Sequence, residues 1–215
     1  MSSGISLGGG LTLYFARHGE TQANRERRFS GRKDTPLTER GRKQARAIGL
    51  ALKNEVGPRP SLVFVSSPLG RARATMEIVR LALDLPGAGY TTDPRIQEID
   101  LGEWDQLTDA EARARNPRLF DERTADKWNV HVPGGENYAE VAARASDWIA
   151  TLKDDTFAVS HGAFTRILRG LLGGLDAGQV SALDEPQGVA FRVRGREIVQ
   201  LPAVGNALSD PKPIG

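Results

Sequence analysis

Three histidines occur in the 215 residues, and two of them share a setting. His18 follows the apolar run of residues 11–16, with Arg17 before it and Gly19 after it. His161 follows the apolar residues 155–160 and precedes Gly162. A second arginine, Arg71, stands just past another apolar run, residues 61–66. Two histidines and two arginines suit a phosphoryl group. Phosphoryl transfer spreads charge over equatorial oxygens, so catalysis is mostly positioning and electrostatic stabilisation. An arginine fork holds two such oxygens at once. A histidine attacks phosphorus through a neutral ring nitrogen, and neighbouring arginines disfavour the imidazolium. A histidine at a strand end can equally be an ordinary structural residue, and spacing alone leaves both readings open. A metal site is weakly indicated, because no compact pattern such as H-E-x-x-H accompanies the histidines.

Strands and helices must bring these side chains together. Residues 11–16 and 61–66 read as buried strands, residues 89–92 as a further short one, and 155–160 as another. Residues 188–193 and 197–201 read as a hairpin about Arg194-Gly195. Thr38 caps a predicted helix to about residue 55, with Ala45, Ile48 and Leu52 on one face. Ser67-Pro68 reads as a cap with proline at the first helical position, ahead of Leu69, Ala72, Met76 and Val79. Thr108 with Glu111 reads as a capping box for a helix ending before Pro117. Asn137 caps a long helix, and His161-Gly162 opens one that stops at Gly173-Gly174. Alternating strands and helices predict an α/β three-layer sandwich, a mostly parallel sheet with helices on both faces. Ligands of such sheets bind beyond the carboxyl ends of the strands, where His18, Arg71 and His161 fall. Residues 102–136 read as an insertion or lid over that end.

Composition narrows the class. The chain reads as one domain over residues 11–201, with flexible tails at 1–10 and 202–215. No apolar run is long enough for a membrane span. The first ten residues lack the basic and apolar regions of a signal peptide. No cysteine is present, which removes disulfides and thiolate chemistry and suits the cytoplasm. Net charge is only +2, yet residues 17–46 hold ten Lys/Arg against four Asp/Glu. That basic stretch reads either as a solvated face or as an attractor for a small anion. Nucleic acid is disfavoured, since Phe29 is its single aromatic and no recognition module appears.

The blocks "ARHGET", "SGRKDTPLTERGRKQA", "VSSPLGRARATMEI", "IQEIDLGEW", "PGGENYAEV", "VSHGAF" and "EPQGVAF" occur in this order. Together they resemble the histidine phosphatase superfamily, in its phosphoglycerate mutase-like branch (branch 1), over roughly residues 11–201. The resemblance implies His18 as nucleophile, with Arg17, Arg71 and a protonated His161 clamping the phosphoryl oxygens. It implies Asn24 and the Gly162 N–H as further phosphate donors, Ser30 and Gly31 at the mouth, and Glu98 as the acid. Glu98 would protonate the leaving oxygen and then take a proton from water. No cofactor and no metal are implied. The partner is a small phosphate ester; oligomeric state is open, with a homodimer among the options.

Some assignments have rivals. Asp100, Glu103 and Asp105 compete with Glu98; Arg73 competes with Arg71. Glu20 and Glu136 read as structural, Trp104 and Trp128 as packing residues, and His131 as a solvated loop residue. Arg113, Arg115, Arg118, Arg123 and Lys127 read as an exposed charged helix or as a second anion site. The short segment after Glu98, with no nearby tyrosine, resembles the phosphatases more than the glycolytic mutases. Gln106 stands where the family usually has glycine, which leaves local geometry there open. The function implied is metal-independent phosphomonoester hydrolysis through a phosphohistidine, with a phosphoglycerate mutase as the alternative. A non-catalytic phosphate-binding module is disfavoured, because every catalytic side chain is present.

Overall fold

Alternation along the first strand, β1 (Thr12–Arg17), divides the interior in two. Leu13 and Phe15 belong to one apolar cluster; Tyr14 and Ala16 belong to the other. Successive side chains of a strand point to opposite faces, so a strand apolar on both faces must be covered twice. The computed structural model describes residue 5 and residues 7–202. The further strands are β2 (Val63–Ser66), β3 (Thr91–Thr92), β4 (Thr156–Ser160), β5 (Ala190–Arg194) and β6 (Glu197–Gln200). They form one six-stranded sheet in the order β3-β2-β4-β1-β5-β6. β1, β2, β3 and β4 run parallel; β5 and β6 add an antiparallel edge. The fold is therefore the expected α/β sandwich with a mostly parallel sheet.

A short helix, α1 (Gln22–Arg25), follows β1; α2 (Glu39–Val56) and α3 (Gly70–Ala82) then cover one face. They contribute Ile48, Leu52, Met76 and Val79 to the core there. The insertion carries α4 (Asp109–Arg115) and α5 (Pro117–Ala125). α6 (Tyr138–Ile149) and α7 (Gly162–Gly173) cover the other face with Val141, Trp148, Phe164 and Ile167, and α8 (Ala177–Ala182) adds Val180. Burying one such side chain contributes about 1.5–3 kcal/mol. Thr38, Thr108 and Asn137 cap their helices through the expected side-chain bonds. Among the described residues, no helix is long and apolar enough to cross a membrane.

Four expectations change. Ser67 does not cap α3. The helix begins at Gly70, and the carboxylate of Asp34 accepts the N–H groups of Gly70 and Arg71 instead. α5 and α8 were not expected as separate helices, although Asn116-Pro117 and the Asp176/Gln179 capping box mark their starts. Within the predicted N-terminal tail, Leu7 is buried and Ile5 packs against the same core. Finally, residues 102–136 have a core of their own: Trp104, Ala112 and Val132, packed with Phe29, Leu101, Leu119 and Phe120. Of the two predicted tails, residues 1–4, 6 and 203–215 lie outside the described residues.

Candidate active site

The register of the two central strands brings the histidines together. Arg17 pairs with Ser160 across β1 and β4, and the His18 N–H donates to the Ser160 carbonyl at 2.9 Å. Both chains then leave the sheet side by side. The rings of His18 and His161 meet edge to face with centroids 5.1 Å apart. The turn after His18 is tight because Gly19 and Gly41 touch. A Cβ on Gly19 would lie 2.2 Å from the Gly41 carbonyl oxygen. That contact seats the loop on the first turn of α2.

His18 is buried, and its Nδ1 lies 2.7 Å from the Gly19 carbonyl oxygen. A carbonyl only accepts, so Nδ1 carries the proton and Nε2 keeps its lone pair. Nε2 accepts from the Arg71 Nε–H at 3.3 Å. Burial, then Arg71 and Arg17, hold the imidazole well below its ordinary value of 6.5, against the opposing Gly19 bond. The ring is thus neutral at physiological pH, with a defined tautomer.

Arg71 is held on every side. Nη1 donates to the Lys33 carbonyl at 3.0 Å and to Asp34 Oδ1 at 3.2 Å. Nη2 donates to the carbonyls of Ser30 at 3.3 Å and Gly31 at 2.6 Å. Asp105 fixes this loop from beneath, its two oxygens accepting from Gly31 N at 2.9 Å and Lys33 N at 2.8 Å. Asp105 is therefore a positioning residue and not the rival acid.

His161 is fully buried, with Nε2 2.7 Å from Ser67 Oγ and no partner at Nδ1. Burial, then Arg71, His18, Arg17 and Arg144, hold it well below 6.5. Without a bound anion, burial and the neighbouring cations disfavour the imidazolium; the expected protonated state is that of the ring with a phosphoryl group beside it. An unpaired buried donor or acceptor costs about 1–3 kcal/mol, so this Nδ1 favours a partner.

Glu98 sits over the start of α7. Its carboxylate accepts from Ile99 N at 2.9 Å and from Ala163 N and Phe164 N at 3.3 Å each. Burial foremost, then Glu185, push its pKa above the ordinary 4.5, against the Ile99 bond and both arginines. The loop carrying it is fastened by Arg144, which donates to the carbonyls of Arg95 and Gln97 at 2.7 Å and Glu98 at 3.1 Å. Arg144 pairs in turn with Glu136, which also accepts Asp100 N at 2.8 Å. Glu136 so organises the turn as expected.

Arg17 Nη1 donates to the Glu185 carbonyl at 2.6 Å and lies 3.8 Å from its carboxylate, which also pairs with Arg166 at 3.3 Å. A Cβ on Gly162 would meet that carboxylate at 2.3 Å, so only glycine lets Glu185 approach the start of α7. Asn24 Oδ1 accepts from Thr21 N at 3.1 Å and Gln187 Nε2 at 3.0 Å, which leaves Nδ2 as its available donor. Gln187 also bonds the His18 carbonyl at 3.2 Å.

One cavity of about 470 Å³ opens over this floor. Its wall includes Arg17, His18, Asn24, Ser30 and Glu98; Arg71, Gly31, His161 and Gly162 are not on it. Glu20 accepts from Thr38 Oγ1 at 2.6 Å, Arg73 bonds Tyr90 on the outside of α3, and His131 pairs with Glu140 in solvent. Asp100 Oδ1 binds Gly102 N, and Glu103 is exposed. Trp104 packs in the insertion core and also walls the cavity, while Trp128 packs against the sheet core. Gln106 holds the left-handed backbone expected of glycine, at φ 76°. Asp34, Arg144, Arg166, Glu185 and Gln187 were not anticipated. They act across long stretches of chain; Asp34, Glu185 and Gln187 fall within the quoted sequence blocks, Arg144 and Arg166 outside them.

A family model described as "Histidine phosphatase superfamily (branch 1)" matches residues 13–190. A protein of Salmonella paratyphi C named "Probable phosphoglycerate mutase GpmB" is 35% identical over 177 residues, covering 78% of this chain and 77% of that one. Bacillus stearothermophilus YhfR superposes with a TM-score of 0.75 at 28% identity, over 92% of this chain and 99% of that one. A mycobacterial glucosyl-3-phosphoglycerate phosphatase complexed with VO3 superposes with a TM-score of 0.71 at 29% identity, over 85% and 90%.

Proposed function

This chain belongs to the histidine phosphatase superfamily, branch 1, and we propose that it is a metal-independent phosphomonoesterase acting on a small phosphorylated metabolite through a phosphohistidine. The observation that carries the reading is the state of His18. It is a buried, neutral imidazole with its proton fixed on Nδ1 and its Nε2 lone pair available. In this reading Nε2 attacks phosphorus and the ester P–O bond breaks. Glu98, in the protonated form that its burial favours, gives its proton to the leaving oxygen. Attack consumes the lone pair that Arg71 Nε–H had bonded, so that donor turns to a phosphoryl oxygen. Arg17, Asn24 and the start of α7 supply further donors. The dianion's arrival reverses the field at His161 and favours its protonation, so Nδ1 gains the partner it lacks. Water then attacks the phosphohistidine, Glu98 takes a proton from it, and inorganic phosphate leaves.

The phosphatase in the mycobacterial comparison and the short segment after Glu98 support hydrolysis. The mutase name of the Salmonella relative supports a second reading, in which the phosphoryl group returns to the substrate. A chain without cysteine suits a cytoplasmic enzyme of either kind. The test is hydrolysis of p-nitrophenyl phosphate in EDTA by the wild type and His18→Ala. Turnover that survives EDTA and falls by at least about four orders of magnitude in the variant supports the phosphatase. Absence of hydrolysis together with interconversion of 2- and 3-phosphoglycerate supports the mutase.

A further inference from the structure

The wall of the cavity carries two basic side chains that no carboxylate pairs among the described residues. Arg123, near the end of α5, is 6% exposed, and its Nε is buried without a hydrogen-bond partner. Its guanidinium lies 5.3 Å from the Tyr138 ring centroid. Lys127 is half-buried on the same wall. Neither has a carboxylate within 4 Å among the described residues, and the nearby acids are engaged elsewhere. Asp126 accepts from Trp128 N, Asn129 N and Asn129 Nδ2. Glu185 is shared by Arg17 and Arg166. Asp109 shares the wall and acts on Lys127 only as a minor influence; burial and the neighbouring Arg166 hold the ammonium below its ordinary value. The other basic residues of the insertion differ. Arg113 pairs with Asp121, Arg118 with Glu122, and Arg115 bonds the Glu103 carbonyl, all on the outside.

A buried charge without a counter-ion is among the costliest arrangements a fold can hold. It becomes favourable when an anion arrives, because charge-assisted bonds are strong where water is excluded. The same wall carries the apolar side chains of Phe29, Leu101, Trp104, Phe120 and Val132, beside the polar Tyr138, Arg166 and Glu185. We propose that the substrate is a phosphomonoester with an apolar body and a second anionic group, and that Arg123 and Lys127 bind that group. This rests on the phosphomonoesterase reading and names its substrate class.

The test compares kcat/KM for phenyl phosphate with that for 4-carboxyphenyl phosphate, 4-(carboxymethyl)phenyl phosphate and 4-(phosphonomethyl)phenyl phosphate. The enzymes are wild type, Arg123→Gln, Lys127→Gln and Arg123→Lys. Leaving-group differences cancel when each ratio, anionic over plain, is compared between enzymes. The ratio for the best anionic substrate is expected to fall about ten- to a hundredfold in Arg123→Gln and in Lys127→Gln. Arg123→Lys retains part of it. The carboxylate and phosphonate arms tell which anion the site takes. Unchanged ratios in Lys127→Gln and in a folded Arg123→Gln, checked by thermal melting, overturn the proposal. If the wild type leaves phenyl phosphate intact, the phosphatase reading fails. Calorimetric binding of the same compounds then decides the subsite, with equal affinity of wild type and Lys127→Gln overturning it.

Discussion

The floor of the cavity and the insertion above it are built on opposite plans. On the floor, Arg71 spends its donors on His18, three backbone carbonyls and Asp34. Asp105 and Arg144 fix the loops around it. Little there can move without disturbing something else. The insertion has its own small core, an outer surface of solvent-exposed ion pairs, and two cations facing the cavity unpaired. The difference separates two tasks. Phosphoryl chemistry demands fixed groups, because catalysis by preorganised charge loses its force when the groups reorganise. Choosing a substrate demands a surface left incomplete until the substrate supplies what is missing.

The contrast breaks most easily at Arg71. Arg71→Met is expected to lower turnover of p-nitrophenyl phosphate by about a thousandfold and to lower Tm, since five donors are lost at once. Arg118→Met, in the insertion, leaves both within error, because its i,i+4 pair with Glu122 stands in solvent. Equal effects from the two would erase the distinction.

Glu98→Gln is the next largest, about a hundredfold in kcat/KM. The loss is greater for phenyl phosphate than for p-nitrophenyl phosphate, since the poorer leaving group needs the proton more. Burial raises the Glu98 pKa, so the wild type stays active above the ordinary carboxylate range and loses activity as pH rises through the raised value. A pH profile of the variant lacks that alkaline limb.

A smaller effect lies in stability against pH. His18 and His161 are held well below 6.5, so the unfolded chain binds protons there that the folded one refuses. Stability is therefore lost as pH falls below 6.5. Glu98, shifted upward, opposes this by one proton against two. Tm is expected to drop between pH 7.5 and 5.5, and His161→Gln flattens the slope.

The smallest effect is at Gln106, which holds a left-handed backbone in the insertion. Its side-chain amide makes only two long bonds of 3.3 Å. Gln106→Gly is expected to raise stability by up to about 1 kcal/mol, read as a Tm increase of about 2–4 °C. A decrease would show that those bonds outweigh the backbone strain.

Local signals in the sequence placed the floor well, and failed where distant residues acted. The strand ends, the glycines behind both histidines and the caps at Thr38, Thr108 and Asn137 are written within a few residues of where they operate. Ser67 shows the limit. Ser-Pro before an apolar helix is a valid cap signature, yet Asp34 takes the role from far along the chain and frees Ser67 for His161. Asp105 looked like an acid beside Glu98, since proximity in sequence says nothing of which way a carboxylate faces. Arg123 could not be separated from Arg113 and Arg118 by type or spacing. Only burial distinguishes the cation that faces the cavity from those that face water.

Because residues 102–136 close around their own apolar centre, with Phe29 and Leu101 as the joints, they behave as a replaceable part. A segment of different lining could be grafted between Asp105 and Trp128, with both retained because Asp105 holds the Arg71 loop and Trp128 packs on the sheet core, and with Phe29 kept as well. The sheet beneath, whose two cores are separate, would keep its shape. New substrate ranges could then arise by exchange of this one cassette, without any change at His18.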